Sequence, residues 1–510
     1  MSRVVAVVGG GISGLGAARV LSGAAPVTVG LARKGAEEPG AALEVLVLES
    51  ADRFGGKVLS GEFRGQEIDL GPDNFLTRNQ SAAALCELLG IGDELVAPAT
   101  SSASVVSRGR LHPMPSGLIL GLPPDLVALA RSRIVSWRGL ARAALDLLPV
   151  GKAMSASSLG LFAGEGEAPR RSSGRDRWEA LATPEWSAAS ILERRLGREL
   201  VERLVDPLLG GINAGGLDHL SLTVVAPQVA QALVGHRSVT RALQLMTAHA
   251  PARPAPDGSK ARPFFIGVRA GLGRMVEELV ADLRRRGVKL QTGMAVTAMR
   301  RVGDRYALET PAGTVLADGV VLAAPGHVTA RLLVDEAPSA ATELGSIPHS
   351  SVALVTLCWP SQALRGLPPG SGFLVPRCEG LLTTGCTFLS AKWPAAAAPG
   401  EAVIRVSTGR YGDERPMSMS DGELAEAVLG ELRALLGVTA APLDTLVQRW
   451  PRAFPQYLPG HLPKIGRARA ALAQLRGVEM AGPALGGIGI PACLTSGERA
   501  ATEVLDRLAP

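Results

Sequence analysis

Val4-Val5-Ala6-Val7-Val8-Gly9-Gly10-Gly11-Ile12-Ser13-Gly14 is the stretch from which the rest of the chain is read. Five small or β-branched apolar residues predict a buried parallel strand. Gly9, Gly11 and Gly14 then fit G-x-G-x-x-G ahead of a helix-like run, Leu15 to Leu21. Each glycine has a steric task in this reading. Gly9 permits the tight turn, Gly11 lets main-chain N–H groups approach a pyrophosphate, and Gly14 lets helix and strand pack closely. The helix N-terminus then faces the phosphate charge. A secretory leader is not expected, because three consecutive glycines break the apolar run and no small-x-small cleavage site ends it.

A glycine-rich turn alone is a weak signal, and a second strand ending in an acid strengthens it. Leu43 to Leu48 is apolar except for Glu44 and ends at Glu49, placed to accept from ribose hydroxyls. Val27 to Leu31 is also strand-like and precedes Arg33 and Lys34, which as a second strand would suggest an NADP 2′-phosphate site. Glu49 is preferred because Ser50-Ala51-Asp52-Arg53-Phe54-Gly55-Gly56-Lys57 follows it, where flavoproteins of the amine-oxidase type extend an FAD site. Gly30 to Ala42 then reads as a surface insertion.

At 510 residues the chain can hold two or three domains. The balance of 53 basic to 47 acidic residues gives +6, which fits an acidic small molecule or an anionic membrane surface. Nucleic acid is not expected, since aromatic residues are scarce and no dense basic block carries stacking residues. The five cysteines are widely spaced without C-x-x-C, which suggests free thiols and a reducing cytoplasm. No metal-ligand cluster can be drawn from the scattered histidines. No run is long and apolar enough to predict a spanning helix.

Past Lys57, short strands lead to Gly71-Pro72-Asp73-Asn74-Phe75, a forced turn before a helix over Ser81 to Leu89. Leu118 to Ala130 and Leu140 to Leu148 are apolar, with Arg131, Arg133, Arg138 and Arg142 beside them. That texture suits either a helical lobe lying on a membrane or a solvated charged face over a core. Gly164 to Arg177 and Pro251 to Pro263 read as a mobile loop and a linker. Asp206 to Gly216 reads as a glycine-dense hinge with too many special positions for a helix interior. An amphipathic helix over Met275 to Arg286 and strands up to Ala323 restore α/β character. A mixed region, Ser350 to Leu436, follows. Near the end, Gly486-Gly487-Ile488-Gly489-Ile490-Pro491 precedes a helix predicted over Gly497 to Leu508, capped by Thr495 or Ser496, with its positive end toward Gly489. The whole is an α/β chain, a Rossmann-like dinucleotide domain interrupted by two insertions.

With both ends in view, the chain resembles the bacterial coproporphyrinogen III oxidase and protoporphyrinogen oxidase family, above all its coproporphyrin-forming branch. The resemblance rests on Gly9 to Gly14, Gly71-Pro72-Asp73-Asn74-Phe75-Leu76, Asp206-Pro207-Leu208-Leu209-Gly210-Gly211-Ile212, Lys392-Trp393-Pro394, Arg449-Trp450-Pro451, Pro455-Gln456-Tyr457 and Gly487-Ile488-Gly489-Ile490-Pro491. It implies an amine-oxidase/glutathione-reductase-like plan: an FAD-binding domain over residues 1–80, 263–330 and 443–510, a mixed α+β substrate domain over 81–110, 214–262 and 331–442, and a helical lobe over 111–213. Non-covalent FAD would be held by Gly9, Gly10, Gly11, Ile12, Ser13, Gly14, Glu49, Ser50, Gly56 and Lys57, and by Gly71, Pro72, Asp73 and Asn74 beside the flavin. Val296 would pair with adenine, and Trp450, Ile488, Gly489 and Ile490 would close the site. Arg78 and Lys392 are candidates for the substrate's propionates.

The implied reaction removes six electrons from a porphyrinogen, with O2 as acceptor, and asks the protein for orientation and exclusion of water rather than for an acid or base. Further expected partners are the next haem-pathway enzyme and the inner face of the cell membrane. A flavin amine oxidase is the alternative, disfavoured because three tyrosines offer little for an aromatic cage and Cys493 lacks the flanks of a flavin link. A non-catalytic FAD-fold binding protein would have lost the glycines, which are intact here.

Overall fold

Strand β1 (Arg3–Val8) is where the sheet begins, and its side chains alternate between two cores as a pleated strand requires. Val5 and Val7 enter one apolar cluster, while Ala6 and Val8 enter another on the opposite face. The chain is described by a computed structural model over residues 3–31, 43–148, 153–155, 186–248 and 263–509. Helix α1 (Ile12–Leu21) leads from β1 toward β2 (Leu43–Leu48), and the two strands pair in parallel from Arg3 opposite Leu43 to Val8 opposite Leu48. Helix α2 (Gly273–Arg285) precedes β3 (Lys289–Gln291), and β4 (Gly319–Leu322) and β5 (Val478–Met480) complete the sheet. The five parallel strands run in the order β3-β2-β1-β4-β5. Parallel strands covered on both faces explain the continuous apolar runs in the sequence. Helix α3 (Ile490–Leu508) packs beside α1 on one face, and a three-stranded antiparallel sheet (Ala298–Val302, Arg305–Thr310, Gly313–Ala317) joins the other.

The described chain forms two compact units. The first comprises Met1–Pro98, Arg262–Pro348 and Lys464–Pro510, and the second Ala99–Ala261 and His349–Pro463. Compared with the three expected compartments, residues 81–98 and 331–348 pack in the first unit, while 443–463 pack in the second. The physical reason for the last is strand pairing. Strand Asp444–Pro455 lies antiparallel to His349–Pro360, at one edge of a seven-stranded sheet. That sheet continues through Glu401–Thr408, Thr383–Phe388, Gly372–Leu374, Ser104–Ser107 and Arg110–Pro113. Helix Asp421–Leu436, opened by a Ser420/Glu423 capping box and ended by Gly437 at positive φ, covers its core.

Three expectations are corrected. Val27 to Leu31 forms no strand, because Glu498 of α3 takes the Val27 and Thr28 N–H groups at 2.8 and 3.0 Å, so these donors cannot enter a ladder. Asp206 to Gly216 is not a hinge at its start: Val201–Gly210 is a π-helix with Pro207 inside it, and the helix continues through Ile212. A proline removes one N–H and its ring crowds the carbonyl four residues back, and the wider π turn relieves both. The last helix begins at Ile490 rather than Gly497, with Pro491 in its first turn, where a missing N–H costs nothing. Thr495 and Ser496 therefore lie inside the helix, and the Ser496 hydroxyl accepts from the Gly482 N–H at 3.1 Å. Gly30 to Ala42 lies outside the described residues from position 32, as do Gly164 to Arg177 and Pro251 to Arg262. Within the apolar run Leu118 to Ala130, a helix begins at Leu126, after Pro123 and Pro124, and is capped by Asp125. Among the described residues no helix is long and apolar enough to cross a membrane, no metal-ligand group occurs, and all five cysteines are free.

Burial within β5 yields a pH prediction. Burial, then the neighbouring Glu503 charge, pushes the Glu479 carboxyl up to about 7, outweighing its contact with Arg507. A carboxyl whose folded pKa is raised contributes stability that is present below its ordinary value of 4.5 and lost as pH rises through about 7. Glu479→Gln should flatten the stability profile between these limits, with the variant gaining up to about 3 kcal/mol on its parent from acid to alkaline pH. Thermal melts across that range check it, and parallel profiles would contradict it.

Candidate dinucleotide site

Gly9 leaves β1 at φ 108°, and its N–H donates to the Leu48 carbonyl at 2.8 Å, so the turn is pinned to the end of β2. A Cβ there would meet the Ala323 main chain at 2.9 Å. At Gly14 an added Cβ would stand 1.9 Å from the Gly9 carbonyl oxygen, so turn and helix are in direct main-chain contact. Gly10 is likewise closed in, by Phe54 at 2.5 Å, whereas the nearest atom to a Cβ on Gly11 is the Gly56 Cα at 4.0 Å. Open space at Gly11, between two crowded neighbours, is the space a ligand's phosphates need.

Two helices present uncapped N-termini in this unit. Neither Gly11 ahead of α1 nor Gly489 ahead of α3 supplies a side-chain cap, and neither first turn contains an acid. Free N–H groups and the positive ends of two helix dipoles favour an anion. The helices are held together by very close packing: a Cβ on Gly497 would lie 1.9 Å from the Ser13 carbonyl oxygen, and one on Gly16 would lie 2.6 Å from Leu494. The Cys493 thiol donates to the Gly487 and Ile488 carbonyls at 3.6 and 3.7 Å. Burial pushes this thiol up to about 11, partly opposed by Lys57.

Lys57 completes the cluster. Burial lowers its pKa below the ordinary lysine range, and among the described residues no carboxylate lies within ion-pair distance of it. Lys57 is half-buried. A partly desolvated ammonium without a counter-charge is costly, and an anionic ligand beside two helix N-termini would relieve it. The Gly55–Gly56 turn that delivers Lys57 is docked by the Gly55 N–H on the Gly10 carbonyl at 2.8 Å, and by Arg53 on the Gly56 carbonyl at 2.7 Å.

Glu49 is buried at the end of β2. One carboxylate oxygen accepts from the Gly10 N–H at 2.6 Å, and the other from the Ala51 N–H at 2.8 Å and the Ser50 hydroxyl at 3.1 Å. Each oxygen retains lone-pair capacity for a hydroxyl. Its own carbonyl accepts from the Met294 N–H at 2.7 Å, which brings the segment bearing half-buried Val296 alongside. Gly71 to Asn74 run into the short strand Phe75–Leu76, with Asn74 donating to Asp73 at 2.5 Å. The Ser81 hydroxyl donates to the Pro491 carbonyl of α3 at 3.3 Å.

The first unit contains Gly9 to Gly14, Glu49, Ser50, Gly56, Lys57, Gly71 to Asn74, Val296 and Ile488 to Ile490. Arg78 is exposed on the loop after Leu76 in the same unit. Trp450, opposite Val352, and Lys392, whose ammonium lies 5.4 Å from the Trp393 ring, belong to the second unit. Sequence reasoning missed Cys493 and Gly497 as structural parts of the cradle. The signal was present in the four-residue spacing Gly489, Cys493, Gly497, which places three small residues on one helical face.

The model of flavin-containing amine oxidoreductases matches residues 12–505. Coproporphyrinogen III oxidase of Bacillus subtilis is 34% identical, over 99% of this chain and 98% of its own. Its counterpart from Propionibacterium freudenreichii is 33% identical, over 98% and 90%. A solved structure from Exiguobacterium sp. 255-15, assigned as a protoporphyrinogen oxidase, superposes with a TM-score of 0.79 at 30% identity, covering 98% of this chain and 97% of that one.

Proposed function

This chain belongs to the flavin-containing amine oxidoreductase family, and on that premise we propose that it is an FAD-dependent oxidase of porphyrinogens in haem biosynthesis, with coproporphyrinogen III as substrate and coproporphyrin III as product. Full-length similarity to coproporphyrinogen III oxidases carries the reaction class. The observation that carries the cofactor is Lys57, a half-buried cation without a carboxylate partner among the described residues, at two uncapped helix N-termini.

Bound FAD would accept electrons from the saturated meso carbons and pass them to O2. The main-chain N–H groups at Gly11 and Ile12, with Lys57, would hold the pyrophosphate. Glu49 would accept from the ribose, and the Val296 main chain would meet adenine. Gly71 to Asn74 and Ile488 to Ile490 would border the flavin ring, the latter offering the positive end of α3. Arg78 and Lys392 are the proposed cations for the propionates. A non-covalent cofactor is favoured because burial keeps the Cys493 thiol neutral and so a poor nucleophile.

Acid denaturation of the purified yellow protein should release intact FAD, identified by its mass, and a flavin retained on the polypeptide would overturn the non-covalent assignment. The kcat/KM for coproporphyrinogen III should exceed that for protoporphyrinogen IX by at least about tenfold, a difference of about 1.4 kcal/mol in transition-state binding. The opposite order would move the chain to the protoporphyrinogen branch.

A further inference from the structure

The second compact unit contains an open pocket of about 390 Å³ walled by Arg377, Arg410, Asp413, Glu414 and Arg415. Its local structure follows from two tight turns. Beyond strand Glu401–Thr408, the Asp413 N–H closes a turn onto the Arg410 carbonyl at 2.8 Å, and Pro376 starts the single 3-10 turn that carries Arg377. Asp413 is committed to Arg415, which it meets through two hydrogen bonds of 2.7 Å, so that pair is self-compensated.

Among the described residues Arg377 and Arg410 lack a direct ion pair, and the carboxylates that act on Arg410 from farther off are Asp413 and Asp206. The Arg377 guanidinium makes one long contact, to the Tyr411 carbonyl at 3.5 Å, and Arg410 makes one to the Leu381 carbonyl at 3.4 Å. Among the described residues neither has a carboxylate within ion-pair distance. Arg410 is only 8% exposed. Its pKa is lowered by burial and then by repulsion from Arg377. The acid facing them from the π-helix, Asp206, is itself buried, gives one oxygen to the Leu217 N–H at 2.8 Å, and has its pKa raised by burial despite both arginines. Gly216 leaves room for the Arg377 fork and for Asp218, since a Cβ there would stand 2.6 Å from the Arg377 Nη2 and would crowd the Asp218 carboxylate as well.

Two neighbouring guanidiniums, one buried, with donors unspent, form a site that an oxyanion would neutralise. The planar forks suit a carboxylate. Asp413 and Glu414 on the same wall repel phosphate, which gathers up to two negative charges on one centre, more than a carboxylate terminus that carries one. We propose that Arg377 and Arg410 form a binding site for an organic carboxylate.

Calorimetry on the flavin-loaded protein tests this with succinate as the probe, against inorganic phosphate and the neutral isostere succinamide. Succinate should bind, succinamide should not, and phosphate should bind more weakly. Arg377→Gln and Arg410→Gln should each weaken succinate about tenfold. Because Arg410 is buried, its variant can fail to fold. Half-exposed Arg377 then carries the test, with an unchanged flavin spectrum and melting transition as its controls. Equal succinate affinity in parent and Arg377→Gln overturns the site, and tighter binding of phosphate than of succinate overturns the ligand class. Porphyrinogen turnover is read separately, so loss of this site leaves the proposed reaction standing.

Discussion

Gly14→Ala is expected to give a chain that retains no flavin and melts well below its parent. The added methyl would stand 1.9 Å from the Gly9 carbonyl oxygen, where no Cβ fits. Overpacking costs about 1–3 kcal/mol even where flexible side chains yield. Here the obstacle is main chain, fixed on both sides by the Gly9 N–H on Leu48 and by the packing of Val7, whose Cγ1 would lie 3.2 Å from the same methyl. Either α1 leaves β1 or the Gly9 turn opens, and both move the N–H groups that would hold the pyrophosphate in the proposed site. Gly11→Ala is the control: its methyl meets open space in the protein, so the chain should fold while flavin binding suffers. Flavin content after gel filtration, with melting curves of both variants, checks the pair. Retained flavin in Gly14→Ala would show that the turn is not the cradle.

Lys57→Gln should separate the stability of the empty fold from that of the loaded one. In the apoprotein the variant removes a half-buried cation without a carboxylate partner among the described residues, so its melting temperature should rise. In the loaded protein it removes a charge-assisted contact worth about 1.5–3 kcal/mol, so flavin affinity should fall by at least about tenfold. The pH dependence has a definite sign. A lysine whose folded pKa is depressed binds fewer protons folded than unfolded, so the parent apoprotein gains stability as pH rises toward the ordinary lysine range. The variant should lack that rise. Equal flavin affinity in the two proteins would remove Lys57 from the site.

Much of this cradle was legible because its constraints are local in sequence. Gly9, Gly11 and Gly14 declare a strand, turn and helix within eleven residues, and the apolar run ending at Glu49 declares the neighbouring strand. What was not legible depended on residues hundreds of positions away. Val27 and Thr28 read as strand, yet Glu498 takes their N–H groups, a competitor that no local pattern reveals. Pro207 with Gly210 and Gly211 reads as a break, yet a π-helix absorbs the proline while Val201, Leu204, Val205 and Leu209 bury their side chains. Tertiary burial there outweighs local propensity. Likewise Arg449 and Trp450 were grouped with the C-terminal dinucleotide segments, whereas pairing with Ala353 and Val352 draws them into the other sheet. The Arg377 and Arg410 pocket had no sequence signal, since its arginines lie on separate turns and neither forms a motif.

Aerobic turnover of coproporphyrinogen III by the purified flavoprotein, with porphyrin fluorescence and hydrogen peroxide followed in the same sample, tests the central claim most directly. Six electrons passed to O2 in pairs predict three peroxides for each coproporphyrin formed. A flavin-loaded protein that forms no porphyrin above the uncatalysed rate, or porphyrin without peroxide, would contradict it.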